Sequence, residues 1–327
     1  MTKRKIGFWG LIAVATLLIA LATSAQAAAT PYPTKKITII VPFKPGGGFD
    51  LQARIVAMHL EKYLPNRVNI VIENVAGAGG KMGAVQLAKS KPDGYTIGVV
   101  GLESVAFMRA LGQLQEDPQQ WTFLGQLSSD PLLVAVNASA GLKTLADMRA
   151  KDFRFGVTSE MLASAAVICK TIGAKFRPVL FDGSGDAVLA GMRGDVDALV
   201  LSWPSMMKGV RDSQGKMSYL FVPSQSRLPS LPDVQTLGEM GVRAEPGVYA
   251  VVATSRIIVA PAGVDKAVQE ILVKTIKKAT SDPEFAKKMK QAEFDIATAK
   301  PDEVKTRVKA AVDEFTAVKD MVKSYIR

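Results

Sequence analysis

ITIIVPFKPGGGFD, residues 37–50, joins a strand-like apolar run to a glycine-rich turn. Residues 37–41 are rich in β-branched side chains and apolar on both faces, which predicts a central strand covered by helices on both sides of its sheet. Gly46, Gly47 and Gly48 remove every Cβ from the turn, so backbone N–H groups can approach a ligand closely. The predicted helix that follows adds its N-terminus, and this arrangement favours an anion.

A second glycine-rich turn, NVAGAGGKMG at residues 74–83, follows the strand predicted at residues 68–73. Because the carboxyl ends of neighbouring parallel strands face one crevice, we expect both turns to face the same ligand. The alternative is that these glycines serve only as tight strand-to-helix turns. Asp50 lies where a cap or first-turn carboxylate would stabilise the first helix, and this role is favoured over direct contact with a ligand.

Strands and helices alternate along the chain in two similar series. The first is a βαβαβ series, typical of a parallel sheet with right-handed crossovers, at residues 36–42, 51–64, 68–73, 82–90 and 95–100. The second has the same alternation, at residues 153–157, 162–172, 176–181, 186–193 and 196–201. A long strand is predicted at residues 248–260, and Pro283 and Pro301 are predicted to begin helices.

The first 27 residues predict a signal peptide that is cleaved on export to the periplasm. A basic start at residues 3–5 precedes an apolar run at residues 6–22, and Ala25-Gln26-Ala27 forms a small-x-small cleavage site, with Ala29 as the other candidate. A membrane anchor is the alternative, but an apolar run of about 17 residues is short for one and lacks a basic flank.

The remaining chain of roughly 300 residues exceeds what a single core usually accommodates. We therefore predict two lobes in a monomer. Lobe 1 comprises residues 28–127 and 249–327 and carries both glycine turns, and lobe 2 comprises residues 128–248.

The composition argues against several kinds of site. His59 and Cys169 are the only histidine and cysteine, so a Ser-His-Asp triad, a disulfide or a His/Cys metal site cannot readily form. We expect His59 on a helix surface and Cys169 as a buried, inert thiol. Neither glycine turn fits a dinucleotide or phosphate-loop motif, so no cofactor and no metal are expected. The net charge of +11 attracts anions without selecting one, and the lysine-rich tail is expected to be a solvated helix face rather than a nucleic-acid site.

Short motifs also follow one another in a characteristic order: YPTKKI at 32–37, VPF at 41–43, PGGGFD at 45–50, EN at 73–74, GAGG at 77–80, PDGYT at 92–96, GSGDA at 183–187, GDVDA at 194–198, LPDV at 231–234 and APAG at 260–263. In these motifs and their spacing, nearly the whole exported chain resembles the substrate receptors of tripartite tricarboxylate transporters, the Bug family of periplasmic binding proteins.

That resemblance implies an α/β fold of the two-lobed periplasmic binding protein type (type II-like, Venus flytrap), in which each lobe is a sheet flanked by helices and crossover strands join the lobes. It implies a non-enzymatic receptor that captures a small organic carboxylate (a di- or tricarboxylate, or an aromatic carboxylate) and delivers it to integral membrane transporter subunits. Backbone amides of both glycine turns would hold one carboxylate. The candidate ligand-binding residues are Gly47, Gly48, Phe49, Asp50, Ala78, Gly79, Ser104, Thr158, Ser159, Asp182 and Ser202.

The chain departs from the family pattern in ways that bear on specificity. Phe49 stands where many relatives have a small hydroxyl residue, and Val75-Ala76 replace a common Arg-Pro. Phe49, Phe181 and Trp203 could line an aromatic ligand, although core packing explains Phe181 at least as well. Arg256 is either a partner for a second carboxylate or a structural ion pair.

Two other functions stay open. A ligand-sensing receptor that docks a signalling partner would have the same sequence features. A secreted hydrolase or isomerase would use Asp50, Glu103 or Asp186, but no pairing of a base with a nucleophile is visible.

Overall fold

A computed structural model describes residues 32–158, 161–224, 226–228, 231–244 and 246–326. The predicted signal peptide, residues 1–27, lies outside the described residues. The strands are β1 Ile37–Val41, β2 Ile70–Asn74, β3 Thr96–Gly101, β4 Thr122–Asn137, β5 Asp152–Thr158, β6 Lys175–Phe181, β7 Ala198–Ser202, β8 Met217–Phe221, β9 Ala253–Ala260 and β10 Ile296–Ala299. The helices are α1 Gly48–Tyr63, α2 Lys81–Ala88, α3 Leu102–Ala110, α4 Leu145–Ala150, α5 Leu162–Ile172, α6 Ser184–Arg193, α7 Trp203–Asp212, α8 Pro246–Val251, α9 Lys266–Thr280, α10 Pro283–Gln291 and α11 Pro301–Ile326.

Two parallel units of the same design make up most of the sheet, whose strand order is β2-β1-β3-β9-β4-β7-β5-β6. In the first unit β1 pairs in parallel with β2 and β3, and in the second β5 pairs in parallel with β6 and β7. The predicted βαβ series and the two-lobed α/β fold are therefore confirmed.

The long strand β4 links the two units. Thr122 to Pro131 pair antiparallel with β9, and Leu132 to Val136 pair antiparallel with β7. The chain therefore changes partner between Pro131 and Leu132, a few residues beyond the lobe boundary predicted after residue 127. The lobe boundaries themselves stay predictions.

Strand β1 shows why the sheet is buried on both faces. Ile37, Ile39 and Val41 pack into one apolar cluster, which lies beneath α1 and α9, whereas Ile40 packs into the other. The second cluster continues into lobe 2. A strand with helices on both sides has to be apolar at nearly every position, as predicted for a central strand.

The prediction that His59 lies on a helix surface is wrong. His59 is buried, its Nδ1 lies 2.8 Å from the carbonyl oxygen of Ile55, and its ring meets the edge of Phe285. The reason is that α10 packs on α1 and covers this face. Cys169 is buried as predicted, and burial raises the pKa of its thiol, which keeps it protonated and unreactive.

The strand predicted at residues 248–260 is only partly correct. Residues up to Val251 form α8, and β9 begins at Ala253. Helix α8 packs on α5 and α11, where the buried Ser164 hydroxyl donates to the carbonyl oxygen of Val251 at 2.5 Å. A short apolar run does not by itself distinguish a strand from a buried helix, so this docking decides the conformation. Helices do begin at Pro283 and Pro301, as predicted.

Candidate functional site

The first glycine turn ends at the N-terminus of α1, a helix of 16 residues. Gly46 has a left-handed φ of 82°, and Gly47 is the extended residue that precedes the helix. The N–H groups of Gly47, Gly48 and Phe49 make no hydrogen bond to another group of the described residues. The first amides of a helix have no partner within the helix, so these three remain available to an anion.

Asp50 holds this turn in place. Its Oδ2 accepts hydrogen bonds from the Gly46 N–H at 2.9 Å and from Arg54 Nε at 3.0 Å. Burial acts to raise the pKa of Asp50, but the hydrogen bonds from Arg54 and Gly46 outweigh it and hold the pKa below its usual range. The carboxylate is therefore ionised and occupied in stabilising the start of α1, the role that the sequence favoured.

The second glycine turn has an unusual backbone. Residues 77–80 all have positive φ, at 134°, 48°, 65° and 91°. A Cβ on Gly77 would lie 2.5 Å from Met82 Sδ, and one on Gly83 would lie 2.7 Å from Pro42 Cα. The backbone conformation and the close packing therefore explain, without a ligand, why glycine stands at these positions.

Gly47, in the first turn, is a different case. Its φ of −81° and ψ of 171° are ordinary for any residue, and a Cβ there would lie no closer than 3.7 Å to another atom, the carbonyl oxygen of Lys44. Neither strain nor packing requires a glycine at this position. A missing side chain beside free amides fits the close approach of a ligand.

The two turns lie side by side, but of the two only the first lines the cavity described below, so the expectation that both face one ligand stays a prediction. Asn74 Nδ2 donates to the carbonyl oxygen of Phe43 at 3.0 Å, which ties the end of β2 to the first turn. The Phe43 ring stacks at a tilt on Phe49, with 4.5 Å between centroids, and a Cβ on Gly80 would lie 3.3 Å from the Phe43 ring.

A cavity of 190 Å³ lies between the first turn and the second parallel unit, lined by residues 43–49 on one side and residues 183–186 on the other. Lys44 bridges the two sides, because its Nζ lies 3.4 Å from Asp182 Oδ2 and 3.6 Å from Asp186 Oδ2. The candidate residues Gly47, Gly48 and Phe49 line this cavity, and Asp182 adjoins it through Lys44. Sequence reasoning did not include Lys44, although a lone lysine beside the glycines was a usable signal.

The other candidate residues that the structure describes do not line this cavity. Ser104 is buried in the first turn of α3, and a Cβ on Gly101 would lie 2.6 Å from Ser104 Oγ and 3.2 Å from the Phe49 ring. Thr158 and Ser202 are buried at the ends of β5 and β7. Thr158 Oγ1 has no hydrogen-bond partner among the described residues. Ala78 and Gly79 belong to the second turn, and Ser159 lies outside the described residues.

Arg256 forms a buried ion pair behind the first turn. Its Nη1 contacts Asp130 Oδ2 and lies 3.3 Å from Ser128 Oγ, and both charged side chains are almost completely buried. The guanidinium lies over the rings of Phe49 and Phe294, at 4.7 and 5.0 Å from their centroids. Of the two roles left open for Arg256, the structure shows the ion pair.

Burial shifts the pKa of Arg256 and the pKa of Glu103 in opposite directions. Burial lowers the pKa of Arg256 to about 9, although the nearby Glu103 carboxylate acts to raise it, so the guanidinium is protonated at neutral pH. Burial also raises the pKa of Glu103, whose Oε2 accepts the Ser255 N–H at 2.8 Å. Asp130 was missed from the sequence because the segment around it was not predicted as a strand, so nothing marked its carboxylate as buried.

Within the described residues, no group of three or more His, Cys, Asp or Glu side chains is placed to hold a metal ion. In the same part of the chain, no helix is both long enough and apolar enough to span a bilayer.

Comparison with known proteins gives a consistent result. BugT of Bordetella pertussis is 30% identical over 245 residues, which cover 71% of this chain and 74% of BugT. Two solved structures share the fold at 23% identity: MatC from Rhodopseudomonas palustris with bound malate, with a TM-score of 0.77 over 89% of this chain and 100% of MatC, and R. palustris Rpa4515 with adipate, with a TM-score of 0.78 over 89% of this chain and 98% of Rpa4515.

The family model described as "Tripartite tricarboxylate transporter family receptor" matches residues 52–324, which run from α1 to α11 and leave out β1 and the first glycine turn. The chain therefore belongs to the family of tripartite tricarboxylate transporter receptors.

Proposed function

We propose that this chain is a periplasmic receptor that captures a small organic carboxylate between its lobes and delivers it to a tripartite tricarboxylate-type membrane transporter, without chemical conversion. The observation that carries the proposal is the set of amides of Gly47, Gly48 and Phe49 at the start of α1, which have no hydrogen-bond partner among the described residues and belong to residues that line a cavity between the lobes. The carboxylate head of the ligand binds these amides.

The energetics of such a site are sufficient for a transport receptor. A helix N-terminus favours an anion by about 0.3–1 kcal/mol, and hydrogen bonds to a charged group contribute about 1.5–3 kcal/mol each. Three amide donors and the burial of the ligand together approach the roughly 8 kcal/mol of a micromolar dissociation constant. The helix dipole alone would be too weak.

The position of the cavity supports closure on the ligand. Its walls come from lobe 1 at residues 43–49 and from lobe 2 at residues 183–186. A ligand that contacts both walls binds the closed form more tightly than the open form, and it shifts the equilibrium by that difference. A closed receptor then presents a shape that a transporter can distinguish from the empty one.

The relatives support the ligand class and the partner. Malate and adipate, bound in two proteins of this fold, are both small dicarboxylates. Membership of the family supports a membrane transporter as the partner, and the sequence of residues 1–27 supports export to the periplasm.

A thermal-shift screen of the exported chain tests the function. Malate, adipate, citrate and benzoate are each compared with the corresponding amide, which has the same shape but no charge. At a hundred times its dissociation constant, a bound acid stabilises the fold by about 2.7 kcal/mol, whereas its amide gives no shift. If acids and amides shift the midpoint equally, or if recovered ligand is chemically altered, the proposal is wrong.

A further inference from the structure

A second cavity, of 500 Å³, opens from the same glycine turn. It shares residues 46–48 and 184–186 with the smaller cavity and extends between α1 of lobe 1 and helices α6 and α7 of lobe 2. Residues 292–294, which follow α10, complete the wall on the side of lobe 1.

The wall of this second cavity is largely apolar and only partly covered. Leu51 on α1 is 43% exposed and Leu189 on α6 is 52% exposed, and both line the cavity from opposite lobes. Val188, Met192, Pro204 and Phe294 extend the apolar lining. Large apolar side chains that face a cavity of this size, next to a few polar groups, are typical of a ligand site.

The charged groups at the rim are mostly neutralised by one another. Asp186 is paired with Lys44, and Asp212 and Glu293 are both paired with Arg211, at 3.5 and 2.5 Å. Lys208 is exposed and has no ion pair within the described part of the chain. Because the acidic rim groups are already paired and the lining between them is largely apolar, the cavity suits an uncharged tail.

We propose that the second cavity is a tail chamber, which receives the hydrocarbon tail of a monocarboxylate whose head binds the amides of Gly47, Gly48 and Phe49. This inference rests on the proposed function and adds the ligand class: carboxylates with an extended, uncharged hydrocarbon chain. The geometry allows one molecule to occupy both spaces, because both cavities share residues 46–48.

Closure of the two lobes completes the tail chamber, because ion pairs between the lobes lie along its walls. Lys44 of lobe 1 pairs with Asp182 and Asp186 of lobe 2, and Glu293 of lobe 1 pairs with Arg211 of lobe 2. Lys44 adjoins the turn, whereas Glu293 lines the far wall of the tail chamber. The chamber is therefore complete only when the lobes meet, and a tail that fills it favours the closed form.

Calorimetric titration of the exported chain with propionate, pentanoate and heptanoate tests the tail chamber. Each buried methylene strengthens binding by about fourfold, so affinity rises steadily along the series.

Leu189→Asp places a charge in the chamber without disturbing the core, because Leu189 is exposed. We expect this variant to lose most of the gain from chain length, so that the affinity for heptanoate falls by a larger factor than the affinity for propionate. Leu180→Asp is the matched control, because Leu180 is 51% exposed on β6 of the same lobe and lines neither cavity.

The outcomes separate the tail chamber from the proposed function. Equal affinity for all three acids, or an equal loss for propionate and heptanoate in Leu189→Asp, overturns the tail chamber and leaves the carboxylate receptor standing. Tighter binding of heptanedioate than of heptanoate overturns the uncharged tail and assigns Lys208 to a second carboxylate. If no carboxylate binds to the wild-type chain, both proposals are wrong.

Discussion

Gly47 differs from the other glycines of the two turns in having ordinary backbone angles and free space beside its Cα. Gly77 and Gly83 are explained by close contacts, and Gly46 by its positive φ. Gly48 has its own structural reason, because a Cβ there would lie 2.9 Å from Arg256 Nη2. A substitution at Gly48 would therefore disturb the buried ion pair as well as the ligand site, which makes Gly47 the cleaner probe.

Gly47→Val should abolish carboxylate binding and leave the fold intact. Valine accommodates the extended backbone of Gly47, but its side chain occupies the approach to the amides, and each lost hydrogen bond to the carboxylate costs about 10- to 100-fold in affinity. Calorimetry gives the affinity, and the melting temperature without ligand checks the fold. Gly238→Val is the matched control, since Gly238 also has free space and lies outside both cavities. Wild-type affinity in Gly47→Val would remove the first turn from the site.

Glu103 should make the stability of the protein depend on pH. Its pKa is raised by burial, so the folded state holds the proton more tightly than the unfolded state. The resulting stabilisation is complete below the pKa of the unfolded chain, about 4.3, and is lost as the pH rises through the folded pKa.

The variant Glu103→Gln has no such titration and can still accept the Ser255 N–H. We expect thermal unfolding to give similar melting temperatures for both proteins near about pH 4, with the variant increasingly the more stable towards about pH 8. A difference that stays constant across this range would show that Glu103 does not titrate as described.

At the scale of elements, β4 and β9 carry the Asp130–Arg256 pair at the point where β4 passes from one unit to the other. Removing one member leaves the other charge buried without a partner, at a cost of about 3–5 kcal/mol, whereas replacing both with apolar side chains is often neutral. Urea unfolding of Arg256→Met should show this loss, and adding Asp130→Leu should recover most of it. Additive losses in the double variant would mean that the two side chains do not stabilise each other.

A comparison of β1 with β4 shows which strands could be predicted from the sequence and which could not. Strand β1 and the glycine turns were predictable because apolar runs and glycines act locally. Strand β4 was missed because Ser128, Asp130 and Pro131 are typical of loops, and only pairing with β9 and β7 makes them a strand. The prediction at residues 248–251 failed for a related reason, since docking on α5 and α11 decides that conformation.

The candidate site likewise has local features that the sequence predicts and long-range contacts that it does not. The first turn and its amides follow from residues 46–49, and the position of the second turn follows from β2. The contacts of Lys44 with Asp182 and Asp186 join positions far apart in the chain, so no local pattern reveals them. The role of Arg256 likewise depended on which side chain faces it across the sheet.

At the scale of the whole molecule, we expect ion pairs between the lobes to favour the closed form over an open one. Arg211→Gln removes the contact with Glu293, and we expect a few-fold weaker ligand binding and a larger radius of gyration by X-ray scattering. Exchanging the charges, with Arg211→Glu and Glu293→Arg, should restore both values in part, because the new carboxylate at position 211 lies beside Asp212. Arg193→Gln is the control, because Arg193 pairs with Asp195 within lobe 2 at 2.8 Å and with similar exposure. Equal effects of Arg211→Gln and Arg193→Gln would contradict a role in closure.

The most direct test of the central claim is a crystal structure of the exported chain with a bound carboxylate. We predict that the carboxylate oxygens lie within hydrogen-bond distance, about 2.7–3.2 Å, of the backbone nitrogens of Gly47, Gly48 and Phe49. A carboxylate bound to the Lys44 or Lys208 side chain instead, with those three amides left to solvent, would contradict the account.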